Sequence, residues 1–389
     1  EMISPDLTRN DPKTLGSSGG PITKDNTAVE YYGTIFAIAE SPAEAGVIWT
    51  GSDDGLLHVT RNNGKTWTKV APKDMPERIQ INSIDAHPTL KGTAYVAATM
   101  YKSGDFRPYL YKTADYGKTW TKITAGIPDT HFTRVVRADP KRAGLLYAGT
   151  EYGMYISFND GSQWQPFQLN LPPVSITDLT IKNDNLIAAT QGRGFWLLDD
   201  ITPLHQLSAP VAASKFHLFT PTPSYKMAGG STPDLPKTAG QNHPEGVMLY
   251  YYLAQKQDST NTVKLEILDA GGKLIRSFAN TDKDLRDKNL TKEEKAKAKK
   301  ELVPTKKGLN RFVWDLSYPD ASRFEGLILW GGGTQGPKAL PGTYRARLTV
   351  NQEAPQEMAF TVLSDPRAKA TPQDLKAQFD FLQDVRQKL

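Results

Sequence analysis

Three segments of the chain share the pattern Ser/Thr-x-Asp/Asn-x-Gly-x-x-Trp, and this repeat constrains the fold more than any other feature. The first copy holds Thr60, Asn62, Gly64 and Trp67. The second holds Thr113, Asp115, Gly117 and Trp120, and the third Ser157, Asn159, Gly161 and Trp164. The copies recur every ~45 to 53 residues, the length of one four-stranded propeller blade. The pattern has the chemistry of a hairpin turn. Glycine takes positive φ without steric cost, and the Asn or Asp side chain bonds turn amides. The tryptophan then opens the next strand, and all three indoles are expected to be largely buried between blades.

Apolar runs upstream of each turn read as paired strands: 34–39 with 47–51, 83–86 with 94–99, and 134–138 with 145–149. A fourth unit, 176–181, 186–189 and 194–198, lacks the turn motif and reads as a closing blade. Each Trp is followed by a short strand and a proline-marked exit. Residues 1–7 read like such a strand with no Trp before it, so the chain is expected to start on the last strand of a further blade. The remaining blades are expected upstream or on a separate polypeptide, as partners of the four visible here.

From about Leu204 the texture changes. A Pro-, Gly- and Thr-rich stretch, 205–246, reads as a linker or crossing segment. Alternating strands with hairpin signals between 247 and 365 predict a β-sandwich. Within it, 281–306 is a charged insertion expected to be helical. Residues 366–389 predict an amphipathic helix that opens on Thr371-Pro372. The fold class is therefore all-β: a partial propeller over 1–204, a sandwich and one C-terminal helix.

The turns resemble the Asp-box (BNR) repeat of sialidases, xyloglucanases and sortilin-type receptors. The stretches 20–26, 34–42, 49–61, 115–120, 134–140 and 192–200 together resemble large secreted bacterial proteins labelled glycosyl hydrolase or sortilin-like. Residues 310–316 with 341–344 are similar to the Ig-like module that ends such chains. The resemblance implies a secreted, periplasmic or surface protein of a bacterium that acts on glycans. Two alternatives stay open beside it: a sortilin-like propeller that binds a protein or peptide without catalysis, and a surface-assembly scaffold.

In a propeller the Asp-box turns lie on one face, so Asn62, Asp115, Asn159 and their glycines and tryptophans are expected to be structural. The loops between second and third strands, and the loops entering each blade, open on the other face. They carry Asp53 and Asp54, the loop 101–108 with Tyr101, Glu151 and Tyr152, Gln191 and Arg193. His131 and Arg134 enter with the third blade, and Glu30, Tyr31 and Tyr32 with the first. Carboxylates for acid/base work and rings for stacking on pyranose faces are the groups of a sugar site. Asp53, Asp54 and Glu151 are thus the candidate catalytic carboxylates, and Tyr101, Tyr152, Arg193, Arg134 and His131 the candidate substrate-binding residues. Asp53-Asp54-Gly55 is also an ordinary turn sequence, and His58, in mid-strand, reads as packed. Where the resembled proteins more often have histidine, this chain has Gln191, which weakens histidine chemistry there.

Composition removes several classes. There is no cysteine, which excludes disulfides, thiolate metal sites and cysteine nucleophiles. The six histidines are scattered, no calcium-loop or phosphate-loop pattern occurs, and no cofactor or metal is expected. Much of the net charge of +5 comes from the lysine-rich segment 288–307, which has no interleaved aromatics for base stacking and reads as a solvated helix or linker. No apolar run approaches the ~20 residues needed to span a bilayer.

Overall fold

The structure, a computed structural model, describes residues 2–22, 24–25, 31–227, 239–258, 261–281, 299, 301–322, 330 and 332–388. The chain divides into two compact units, Glu1–Ile201 and Thr202–Leu389.

The first unit contains four blade-like antiparallel sheets of a β-propeller. The first blade runs β1 (Ile35–Glu40), β2 (Ile48–Ser52), β3 (Leu57–Thr60) and β4 (Thr68–Lys69). The second has β5 (Gln80–Ala86), β6 (Ala94–Met100), β7 (Asp105–Thr113) and β8 (Thr121–Lys122). In the third are β9 (Thr133–Ala138), β10 (Leu146–Thr150), β11 (Gly153–Ser157) and β12 (Gln165–Pro166). The fourth is three-stranded: β13 (Ile176–Lys182), β14 (Asn185–Thr190) and β15 (Phe195–Leu198). Every inner strand carries one register shift near its start, at Ile35/Ala37, Ile81/Ser83, Thr133/Val135 and Ile176/Asp178. These bulges set the four blades in a common register.

The three repeated turns are built alike. The Thr60, Thr113 and Ser157 hydroxyls accept from the Gly64, Gly117 and Gly161 amides at 2.9 to 3.0 Å. The Asn62, Asp115 and Asn159 oxygens accept from the amides four residues on, at 2.9 to 3.0 Å. Each glycine has φ near +80° and sits against chain that precedes its own blade. A Cβ would come within 2.2 Å of the Ile3 carbonyl at Gly64, 2.5 Å of Val70 Cβ at Gly117 and 2.6 Å of Ile123 Cδ1 at Gly161. The indoles of Trp67, Trp120 and Trp164 donate to the carbonyls of the same three residues, Ile3, Val70 and Ile123. The second and third turns therefore tie their blades to the preceding one, and the first ties its blade to the segment at Ile3. Equal burial of the three rings does not follow, however: Trp164 is 2% exposed, while Trp67 and Trp120 are only half-buried. The turn lies at the rim, where neighbouring chain decides how far solvent reaches. Trp120 is flanked edge-on by Trp49 at 6.3 Å, and Trp67 leans on residues near Ile3.

The blades pack through their flat faces. One apolar cluster joins Trp49, Leu57 and Val59 of the first blade to Ile81, Ile84 and Val96 of the second. Another joins Leu110 and Ile123 of the second to Val136, Leu146 and Trp164 of the third.

In the second unit, β16 (Phe216–Leu218), β18 (Val247–Leu253) and β21 (Gly308–Trp314) form one sheet. The other holds β17 (Ser224–Lys226), β19 (Val263–Asp269), β20 (Leu274–Ala279), β22 (Gly342–Val350) and β23 (Gln356–Ser364). A shared core makes them a β-sandwich: Tyr251 and Trp314 from one sheet meet Leu265, Ala346 and Phe360 from the other. The stretch expected to be a linker holds part of this sandwich, because β16 pairs with β18 and β17 runs parallel to β23. It also holds the short helix α2 (Ala209–Ala213), preceded by α1 (Thr202–Gln206). Strands of three residues are too short to show an alternation. Most of the insertion 281–306 lies outside the described residues. The C-terminal helix α3 (Pro372–Lys388) is capped reciprocally: Thr371 Oγ1 accepts from the Asp374 amide and the Asp374 carboxylate from the Thr371 amide.

Candidate functional site

In the first, third and fourth blades the loop after the second strand is stitched to the segment that enters the same blade. The Asp53, Glu151 and Gln191 amides donate to the Thr34, Phe132 and Ser175 carbonyls at 3.0 to 3.1 Å. Loop and entry segment therefore share one end of the blade, opposite the repeated turns. That end carries the residues singled out above, except Glu30, which lies outside the described residues.

Five of them form two contact groups on the second and third blades. Arg134 holds one oxygen of Glu151: Nε donates to Oε2 at 2.7 Å, and Nη2 lies 2.7 Å from the same oxygen. The guanidinium lies over the Phe132 ring at 5.1 Å and the Tyr101 ring at 5.5 Å, and those rings stack on each other at 4.8 Å. In the same loop–entry pair, His131 stacks on Tyr152 at 4.7 Å and meets the Tyr155 hydroxyl through Nδ1 at 2.7 Å. Burial pushes the His131 imidazole below the usual histidine range, so it is neutral at pH 7. Tyr152 is 53% exposed and follows Glu151 directly in the chain.

Asp53 and Asp54 lie at the first blade and do different things. Asp54 is 1% exposed. One of its carboxylate oxygens accepts from the Arg9 amide at 2.7 Å, and the other accepts from the Ser52 hydroxyl. The Arg9 guanidinium also reaches the Asp54 carbonyl at 2.8 Å. Asp54 thus holds residues near Arg9 to the blade. Asp53 accepts from the Gly33 and Thr34 amides at 3.0 and 2.8 Å and is half-exposed. It lines a cleft of ≈ 330 Å³ with Tyr32, Arg78, Gln80 and Lys102. The cleft lies between the Asp53 loop and the turn following β6. Within it Lys102 donates to Gln80 at 2.9 Å, while Arg78 is held by Asp11 at 2.9 Å.

Arg193 is exposed, and its carbonyl accepts from the Trp196 indole at 3.1 Å. Among the described residues no hydrogen bond or ion pair joins Asp53, Asp54 or Arg193 to either contact group. Phe132, Tyr155, Arg78 and Gln80 were not singled out from sequence, and Lys102 was included only as part of the loop 101–108. For Phe132 and Arg78 the available signal was position in an entry segment. No group of three or more His, Asp or Glu side chains among the described residues is arranged to hold a metal ion. No helix of the described residues is long and apolar enough to cross a membrane.

No family model matches the chain. A stretch of 107 residues, 27% of the chain, is 28% identical to an oligoxyloglucan reducing end-specific xyloglucanase of Emericella nidulans. That stretch spans 13% of the relative's length. Among solved structures, the chain is similar to a GH74 xyloglucanase from Xanthomonas campestris, with 13% identity and a TM-score of 0.35 over 84% of this chain and 44% of that one. An ancestral GH74 enzyme gives 14% and 0.35 over 84% and 47%. YCF48 bound to D1 peptide gives 18% and 0.34 over 43% and 52%. Likeness at this level carries nothing about activity; the blade assignment rests on the sheet order, the shared bulges and the repeated turns.

Proposed function

We propose that the chain is part of a glycan-directed, glycoside-hydrolase-like propeller protein whose open face binds a polysaccharide such as xyloglucan. The observation that carries this reading is the half-exposed Tyr152 ring, backed by His131 on the same loop and entry segment that carry the Arg134–Glu151 pair. A pyranose face stacks on an aromatic ring, and its equatorial hydroxyls pair with a carboxylate and a guanidinium. The neutral His131 stiffens the platform without adding charge. The 107-residue similarity to a xyloglucanase supports the substrate class. A polysaccharide of this kind is met outside the cytoplasm, so secretion belongs to the same proposal.

For hydrolysis, a glycosidase needs two carboxyl groups roughly 5 to 9 Å apart. The accessible candidates are Asp53 and Glu151, since Asp54 is enclosed and both of its oxygens are engaged. Binding by Tyr152 and hydrolysis by the carboxylates separate experimentally. With xyloglucan heptasaccharide as titrant, Tyr152→Ala weakens binding about tenfold, which corresponds to ~1.4 kcal/mol. Release of reducing ends by the wild type, abolished in Asp53→Asn or Glu151→Gln, establishes hydrolysis. Binding without any release of reducing ends leaves a binding propeller. Equal affinity of wild type and Tyr152→Ala contradicts the site.

A further inference from the structure

The common register lets equivalent positions be compared from blade to blade. Ile35, Ile81, Thr133 and Ile176 occupy one position of the inner strand, and Ile38, Ile84, Val136 and Leu179 another. In the second, third and fourth blades these residues are buried, pressed onto the blade before. In the first blade Ile35 is 42% exposed and Ile38 65%. The opposite face of the fourth blade shows the same thing in reverse. Leu57, Leu110 and Met154 are buried by the blade that follows them, whereas their equivalent, Phe195, is 83% exposed. Leu197, equivalent to Val59 and Ile156, is 54% exposed. Apolar side chains at interface positions thus stand open at both ends of the series.

The internal interfaces also say what fits. Gly51 faces Ile81 so closely that a Cβ would come within 2.3 Å of Ile81 Cγ2, and Gly149 faces Ile176 at 2.7 Å. At the interface between them the same two positions are Ala97 and Thr133. Isoleucine is therefore matched by glycine, and threonine by alanine. The first blade presents Ile35, and the fourth has Ala189 at the glycine position. A second copy stacked head to tail would drive the Ala189 methyl into Ile35. At the same end Ile3 already receives the Trp67 indole, as Val70 and Ile123 receive those of Trp120 and Trp164.

We propose that both open faces dock further β-blades of this same repeat, carried on polypeptide outside these 389 residues. The blade seated on Ile35 has glycine at the position of Gly51 and takes the segment around Ile3 as its outermost strand. The interface is continuous in kind with the blade contacts inside the chain, and covering it removes an apolar surface that a lone arc would present to solvent.

The chain has no cysteine, so single introduced thiols report without ambiguity. Ile38→Cys, Phe195→Cys and the exposed control Lys118→Cys are introduced separately into the gene in its native cell. The intact protein is isolated and treated with a maleimide. The thiols of Ile38→Cys and Phe195→Cys are expected to react at least about tenfold more slowly than that of Lys118→Cys. A benzophenone attached to the Ile38→Cys thiol should join a glycine-containing peptide from outside the 389 residues. Hydroxyl-radical footprinting of Ile38 and Phe195 in the wild type gives the same readout if a variant fails to fold. Reaction of either interface thiol as fast as the Lys118→Cys control overturns the proposal. So does a cross-link to residues 186–198 of a second copy, or to a segment that is not a blade strand.

Discussion

Trp164 offers the sharpest quantitative test of how the repeated turn works. Its ring is 2% exposed, packed with Ile123 and Val136, and its indole nitrogen donates to the Ile123 carbonyl at 2.7 Å. Trp164→Ala removes the ring from a closed interface and costs about 3 to 5 kcal/mol. Trp164→Phe keeps most of the apolar contact but leaves the carbonyl without its donor, at about 1 to 2 kcal/mol. Trp67→Ala, at a half-buried ring, costs about 1 kcal/mol. A unit of this size shifts by roughly 2 to 4 °C for each kcal/mol. Trp164→Ala should therefore lower the propeller transition by roughly 10 °C, Trp164→Phe by a few degrees, and Trp67→Ala by a few degrees at most. Differential scanning calorimetry on the whole chain reads all three. If Trp67→Ala costs as much as Trp164→Ala, burial does not govern the contribution of the turn. If Trp164→Phe is as damaging as Trp164→Ala, the indole bond outweighs the packing and the magnitudes above are wrong.

Three further outcomes follow from other parts of the structure. Gly51→Ala should destabilise by about 1 to 3 kcal/mol through overpacking against Ile81, and Ile81→Val should recover part of the loss in urea melts. Burial pushes the Asp85 carboxyl up to about 6, so its contribution is present at pH 4 and lost as pH rises through about 6. Asp85→Asn should then stabilise by on the order of 1 to 3 kcal/mol at pH 8, with the gain shrinking toward pH 4; a pH-independent difference would refute this. The imidazoles of His58, His87 and His131 are held low by burial, so their contribution is present above the unfolded value near 6.5 and falls away as pH drops below it. His87→Gln should flatten the acid limb of the stability curve.

The blade architecture was legible in the chain because it rests on local chemistry. A left-handed glycine, an Asn or Asp that bonds turn amides and a tryptophan at fixed offset announce themselves within a few residues. The site was legible only as a set of loops. Adjacent aspartates look alike in sequence; Asp54 is enclosed because Arg9 returns from 45 residues away, and Asp53 is not. The Arg134–Glu151 ion pair depends on an inner strand and a hairpin meeting across the sheet, and the Tyr101 stack depends on packing between two blades. Position in a loop could identify the end of the blade but not these partners. The short strands Phe216–Leu218 and Ser224–Lys226 stayed hidden for another reason: three residues paired with distant strands leave no period to read.

The most direct measurement of the central proposal is where a glycan touches the protein. A xyloglucan heptasaccharide carrying a photoreactive group, irradiated with the wild-type chain and mapped by peptide mass spectrometry, should label residues 131–134 and 151–155, with label lost in Tyr152→Ala. Label confined to the repeated turns at 60–67 and 113–120, or to the sandwich unit, would contradict glycan binding at the open propeller face.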